Sequence, residues 1–180
     1  MLTFVSMTSL YVQIVGIENK FFVKNMTNFV CQTIEVCVFA FSKSTPQYLV
    51  LRRSKEKKLY PNIWQIVTGS IEEKENPIQA ALRELKEETG FTPQKFWNLH
   101  HVNIFYSSHN NTIHHTPVFV AQVPFVEPKL SIEHSAFQWC NLEKAKELMV
   151  WHGQVRALEL THLYIVQGKK AAEFSEIQIF

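Results

Sequence analysis

Three carboxylates, Glu84, Glu87 and Glu88, stand at i, i+3 and i+4 near the end of the stretch GSIEEKENPIQAALRELKEETGF, Gly69 to Phe91. Residues at that spacing are neighbours on a helix surface. Clustered carboxylates repel one another unless a cation compensates them. Hard divalent cations such as Mg²⁺ bind through carboxylate oxygens, so one chemistry open to this trio is metal binding. A solvated acidic face beside Arg83 and Lys86 is the other reading of the same pattern.

The element that must carry them is marked at both ends. Asn76-Pro77-Ile78-Gln79 reads as a helix start, with Asn at the N-cap, Pro at the first helical position and Gln three residues after the cap. Thr89-Gly90 reads as a stop, because glycine takes the left-handed conformation without a Cβ penalty. Between them Ile78, Ala81, Leu82 and Leu85 share an apolar face. The expectation is a helix packed on a core, with the three carboxylates on a separate face.

The chain has 180 residues, 46% hydrophobic and 19% charged, which fits one globular domain. A net charge of +2 gives no argument for nucleic acid or an anionic membrane as partner. The three cysteines, Cys31, Cys37 and Cys140, lack CxxC spacing, which argues against a disulfide framework or zinc site and suits the cytoplasm. The eight histidines include His100-His101 and His114-His115, but adjacent strand residues point to opposite faces and make poor chelates.

Residues 1–25 are apolar without a basic n-region or a cleavage site, and read as an N-terminal extension rather than a signal or anchor. Strands are expected over 33–41, 48–52, 64–67, 95–107, 117–123 and 136–140, with a turn at 42–46, a charged loop at 53–58 and a polar break at 108–112. Helices are expected over 142–149 and 154–167, and the 169–180 tail as a mixed, mobile end. This order predicts a mixed α/β or α+β domain, residues 26–168, with helices covering a sheet.

The spacing from Gly69 through Glu75, Arg83-Glu84-Leu85 and Glu87-Glu88 to Gly90-Phe91 resembles the signature of the Nudix hydrolases at every defining position. The resemblance implies an α/β/α sandwich around a central mixed β-sheet, a Mg²⁺ cofactor with Mn²⁺ as a substitute, and hydrolysis of a nucleoside diphosphate linked to another group. It also implies roles for the helix carboxylates of the box. Glu84 and Glu88 are implied as metal ligands and Glu87 as a ligand or the general base, while Gly69, lacking a Cβ, can bring its backbone close to a metal or phosphate. From its own chemistry Arg83, next to Glu84 and eight residues from Glu75, reads as a fork of donors that orients carboxylates.

Outside the box, WQIVTGSIEE, Arg52-Arg53 and IEHSAFQWCNLEKAKEL are similar to a subgroup that includes the bacterial dihydroneopterin triphosphate diphosphatases and dATP-hydrolysing enzymes. That likeness implies Arg52 and Thr68 as substrate contacts, and Glu133 as a metal ligand or base. Glu127 is a weaker candidate, and His134 reads as structural. The subgroup's lysine before the first strand has no match in NFVCQ. Trp64, Trp97, Phe105 and Tyr106 are each open to ring stacking or to core packing. The implied substrate is a small nucleotide or pterin triphosphate, cleaved to a monophosphate and pyrophosphate, the pterin reaction being a step towards folate. Other diphosphate-linked compounds (dinucleoside polyphosphates, nucleotide sugars, capped RNA), or a Nudix sensor that binds without cleaving, are the alternatives.

Overall fold

The computed structural model describes residues 27–179, so the expected extension over 1–25 lies outside the described residues. A mixed sheet forms the centre. Its strands are β1 (Asn28–Val30), β2 (Thr33–Ser42), β3 (Thr45–Arg53), β4 (Trp64–Gln65), β5 (Val67–Ser70), β6 (Lys95–Ser107), β7 (Thr112–Gln122) and β8 (His134–Cys140). The order β1-β7-β2-β3-β4 runs across it, with β5 on β2, β6 on β7 and β8 on β3. The β1–β7 and β2–β7 pairs are parallel and the remaining pairs antiparallel.

Strand β2 sorts its side chains by alternation. Ile34, Val36 and Val38 enter the core under helix α1 (Pro77–Thr89), with Ala81 and Leu85. Cys37 and Phe39 enter a second core with Ala145, Ala157 and Leu158. These last three belong to α2 (Leu142–Leu148) and α3 (His152–Leu160). A sheet buried on both faces is the expected α/β/α sandwich.

Helix α1 has the anticipated ends. Asn76 Oδ1 accepts from Gln79 N and Gln79 Oε1 from Asn76 N, both at 3.0 Å, a reciprocal capping box. Gly90 closes the helix at φ 74°, and its N–H donates to Lys86 O. The division of its faces differs from expectation. Ile78 is exposed at the first turn, while Glu88 is buried beside Ala81 and Leu85. The reason is helical phase: Ala81 and Glu88 are two turns apart and only about 20° out of register.

Other elements depart from the sequence reading. β3 begins at Thr45 and β7 at Thr112, because both hairpins stay paired almost to their turns. β1 was not anticipated; it gains its pairing from β7, far along the chain. Helix α3 passes into a π-helical stretch, Thr161–Val166, which keeps Thr161 and Ile165 buried. The tail also differs: it forms α4 (Lys169–Ser175), Ile177 N donates to Phe96 O at 2.8 Å, and Ile177 and Ile179 pack on the core. Apolar side chains with a groove to fill dock the segment expected to be mobile.

Candidate active site

The site is assembled where α1 passes the end of β5. Ser70 N donates to Glu84 Oε1 at 3.2 Å. A Cβ built on Gly69 would lie 2.0 Å from the Glu84 carboxyl carbon, so the carboxylate occupies the space that any side chain at 69 would fill. Burial pushes the Glu84 carboxyl up, opposed by the Arg83 guanidinium.

Arg83 ties the preceding loop to the helix. Its Nε and one terminal nitrogen donate to the two Glu75 oxygens at 3.0 and 2.9 Å, a bidentate fork. The same guanidinium donates to Ser70 O at 2.7 Å, and contacts Glu84 at 2.9 Å and Glu87 at 3.1 Å. Its hydrogen bonds hold the Glu75 carboxyl below the usual range. This is the orienting role expected of its fork of donors. Glu87 stays largely exposed at the rim.

Glu88 has a different environment. Its carboxylate lies 3.1 Å from His134 Nε2, with both side chains almost completely buried. The pair lacks hydrogen-bond alignment, which leaves Glu88 Oε2 and both His134 ring nitrogens without partners. Burial raises the Glu88 carboxyl, His134 opposes this, and the charges of Glu84 and Glu133 raise it further. His134 reaches this place because Ser131 N donates to Glu88 O and Lys129 N to Thr89 O, seating the 129–133 loop on the end of α1.

A cleft of about 390 Å³ opens beside these groups, a volume suited to a small ligand. Its lining includes Gly69, Ser70, Glu84, Glu133, Arg53 and Lys57. Thr33, Glu35, Thr68, Phe105 and Thr116 line it too, with Thr33 paired to Ser70 and Glu35 to Thr68 across β2 and β5. Of the residues singled out in the sequence, Gly69, Thr68, Glu84 and Glu133 line this cleft; Glu87, Glu88 and Arg52 do not. Arg52 turns outward, its Nε directed at Asn62 O, and the wall position belongs to Arg53. Glu127 is exposed and away from the cleft. Trp97 is core, Trp64 packs against the same core, and Tyr106 is exposed; only Phe105 of the four aromatics lines the cleft.

The sequence reading missed Arg53, Lys57 and Glu35. Lys57 is not a free solvated lysine: it forms an ion pair with Glu133, and Ser54 N donates to Glu133 O at 2.7 Å, folding the charged loop over the site. Glu35 carried a visible signal, as one carboxylate within the apolar strand TIEVCVFAF.

Among the described residues, no three His, Cys, Asp or Glu side chains converge closely enough to hold a metal in this arrangement. The donor chemistry nevertheless fits a hard cation. Glu84 and Glu133 are oxygen donors whose charges both repel that of Glu88, and Glu88 Oε2 is a buried acceptor without a partner.

The NUDIX domain family model matches residues 32–160. The dihydroneopterin triphosphate diphosphatase of Escherichia coli K12 is 42% identical over 55 residues, which are 31% of this chain and 34% of that protein. An octanoyltransferase of Myxococcus xanthus is 30% identical over 124 residues, 68% of this chain and 34% of that protein. The matched stretch thus spans about a third of the length of these curated relatives. The solved E. coli dihydroneopterin triphosphate pyrophosphohydrolase has 25% identity and a TM-score of 0.61, over 77% of this chain and 99% of that one. A Caenorhabditis elegans Ap4A hydrolase binary complex has a TM-score of 0.65 at 20% identity over the same shares, a likeness of fold.

Proposed function

Since the chain belongs to the NUDIX domain family, we propose that it is a pyrophosphohydrolase cleaving a nucleoside-triphosphate-like substrate to a monophosphate and pyrophosphate. The observation that carries this reading is the union, in one cleft, of Glu84 against Gly69 with the cationic pair Arg53 and Lys57. Acidic groups for a metal and basic groups for phosphate are what hydrolysis of a polyphosphate chain requires.

Glu84 and Glu88 would hold Mg²⁺, or Mn²⁺ in its place, with Glu87, Glu133 and Gly69 as further candidates. Such a cation, when bound, neutralises phosphate charge and acidifies water. The protein's own residues do the rest. Arg53 and Lys57 attract and orient the phosphates, in place of the expected Arg52, with Thr68 on the wall. Glu133 or Glu87 accepts the proton of the attacking water.

Dihydroneopterin triphosphate and dATP-type nucleotides are the substrates that best combine the curated relatives with the triphosphate chemistry of the cleft. A cytoplasmic setting belongs to the same proposal. The direct experiment is pyrophosphate release from dihydroneopterin triphosphate and dATP with Mg²⁺, beside an ADP-ribose and a dinucleoside polyphosphate control. Release from the triphosphates supports the reading. Cleavage of the controls alone moves the substrate class, and cleavage of nothing leaves a binding module.

A further inference from the structure

Glu35 is buried near the start of β2, paired with Thr68 of β5, and lines the cleft. Burying a carboxylate costs several kcal/mol before its partners are counted. Two amides compensate it: Gln154 Nε2 donates to Oε1 at 3.1 Å, and Asn103 Nδ2 to Oε2 at 3.2 Å. Gln154 comes from α3 and Asn103 from β6, so two separate elements hold the side chain in place. Asn103 owes its own position to Gly153, where a Cβ would fall 1.9 Å from its Oδ1.

The same cleft has the parts of a ring site. Phe105 lines it half-exposed, with its ring stacked on His114 at 4.9 Å and 6° between planes. Its second face is therefore a candidate platform for an aromatic ligand. Thr33 and Thr116 share a hydroxyl hydrogen bond of 2.7 Å on the same wall.

Burial raises the Glu35 carboxyl, and the hydrogen bonds from Gln154 and Asn103 oppose this; in its ionised form it is an acceptor only, with about four lone-pair sites on two oxygens. Two amide donors leave acceptor capacity beside the cleft. Its natural complement is a planar edge carrying adjacent N–H donors. Guanine and pterin both present a ring N–H next to an amino group. Adenine presents an amino group beside an acceptor nitrogen, and sets a lone pair against the carboxylate.

We infer that Glu35 reads the substrate ring, with Asn103 and Gln154 fixing its orientation, and selects 2-amino-4-oxo rings over adenine. This rests on the reading of the cleft as a nucleotide site, and it decides between the two substrate classes proposed above in favour of the pterin-like one.

The test is a ligand ladder on the unaltered full chain. Non-hydrolysable α,β-methylene triphosphates of guanosine, inosine and adenosine are titrated calorimetrically with Mg²⁺. Guanosine offers two donors, inosine one, adenosine one donor beside an acceptor. Affinity should fall in that order, with guanosine about tenfold or more tighter than adenosine. In Glu35→Gln, which presents a donor as well as an acceptor, the guanosine preference should shrink to about twofold or less. Where that variant does not fold, Glu35→Asp retracts the carboxylate and should lose the preference too.

Equal affinities, an adenosine preference, or no binding of any analogue by the unaltered protein would overturn the proposal. So would an unchanged guanosine preference in a folded Glu35 variant, which would mark Glu35 as a purely structural link. Because the ladder reads binding alone, absence of pyrophosphate release from hydrolysable substrates would refute the hydrolase reading while leaving ring selection intact.

Discussion

Gly69 and Glu84 meet so closely that a Cβ at position 69 would lie 2.0 Å from the Glu84 carboxyl carbon. The backbone at Gly69 is not in the left-handed region, so alanine brings no conformational strain. The obstacle is the end of a flexible side chain, which can swing away. Gly69→Ala should therefore fold, displace Glu84 and lower kcat by about ten- to a hundredfold, the range seen when groups around metal ligands are disturbed. A thermal melt and steady-state kinetics check this; a fully active Gly69→Ala would show that Glu84 need not lie where it does.

The Arg83–Glu75 fork makes a pH-dependent contribution to stability. Glu75 has a lowered pKa in the folded protein, caused first by its hydrogen bonds from Arg83. The stabilisation is present well above the ordinary glutamate value, roughly pH 4.3. It is lost as pH falls through the lower folded value. Glu75→Gln should consequently melt below the parent protein at pH 7, and the gap should close on acidification towards pH 3. Melting curves across that range are the measurement, and a gap that widens in acid would assign the stabilisation to another group.

Reactivity of the thiols follows from burial. Cys37 is fully buried and its thiol is pushed up to about 12, while burial lifts Cys140 to about 11. Cys31 is exposed. Since the thiolate is the reactive form, a disulfide reagent at pH 8 should label Cys31 promptly and reach the other two only after denaturation. Mass spectrometry of labelled peptides distinguishes the sites; prompt labelling of Cys37 would reveal opening of the second core.

What could be read in advance was what the chain encodes locally. The caps of α1 use residues within one turn of each end, so Asn76, Gln79 and Gly90 are visible in the sequence. The depth of Glu88 was not, because a wheel drawn from apolar residues alone gives a carboxylate no reason to face inward. Its place is decided by the 129–133 loop, which sets His134 against it. Arg53 and Lys57 escaped for the same reason: the loop that carries them is held by Glu133, about eighty residues on. Glu35 was conspicuous as a charge in an apolar strand, but its partner Gln154 lies 119 residues away. The π-helical stretch at Thr161–Val166 has no pattern of its own that periodicity would detect.

Glu88 sets stability against function. Its carboxylate is buried, repelled by Glu84 and Glu133, and faces His134 without hydrogen-bond alignment. Such a group is costly to bury, and a neutral isostere relieves part of that cost. Glu88→Gln should keep or slightly raise the melting temperature while lowering pyrophosphate release on the order of a hundredfold. A bound cation stabilises the folded state by mass action. Millimolar Mg²⁺ should accordingly raise the melting temperature of the parent protein by a measurable margin, and that of Glu88→Gln by much less. Near-normal turnover together with an undiminished Mg²⁺ shift in the variant would remove Glu88 from the metal site and leave Glu84 and Glu133 as its principal donors.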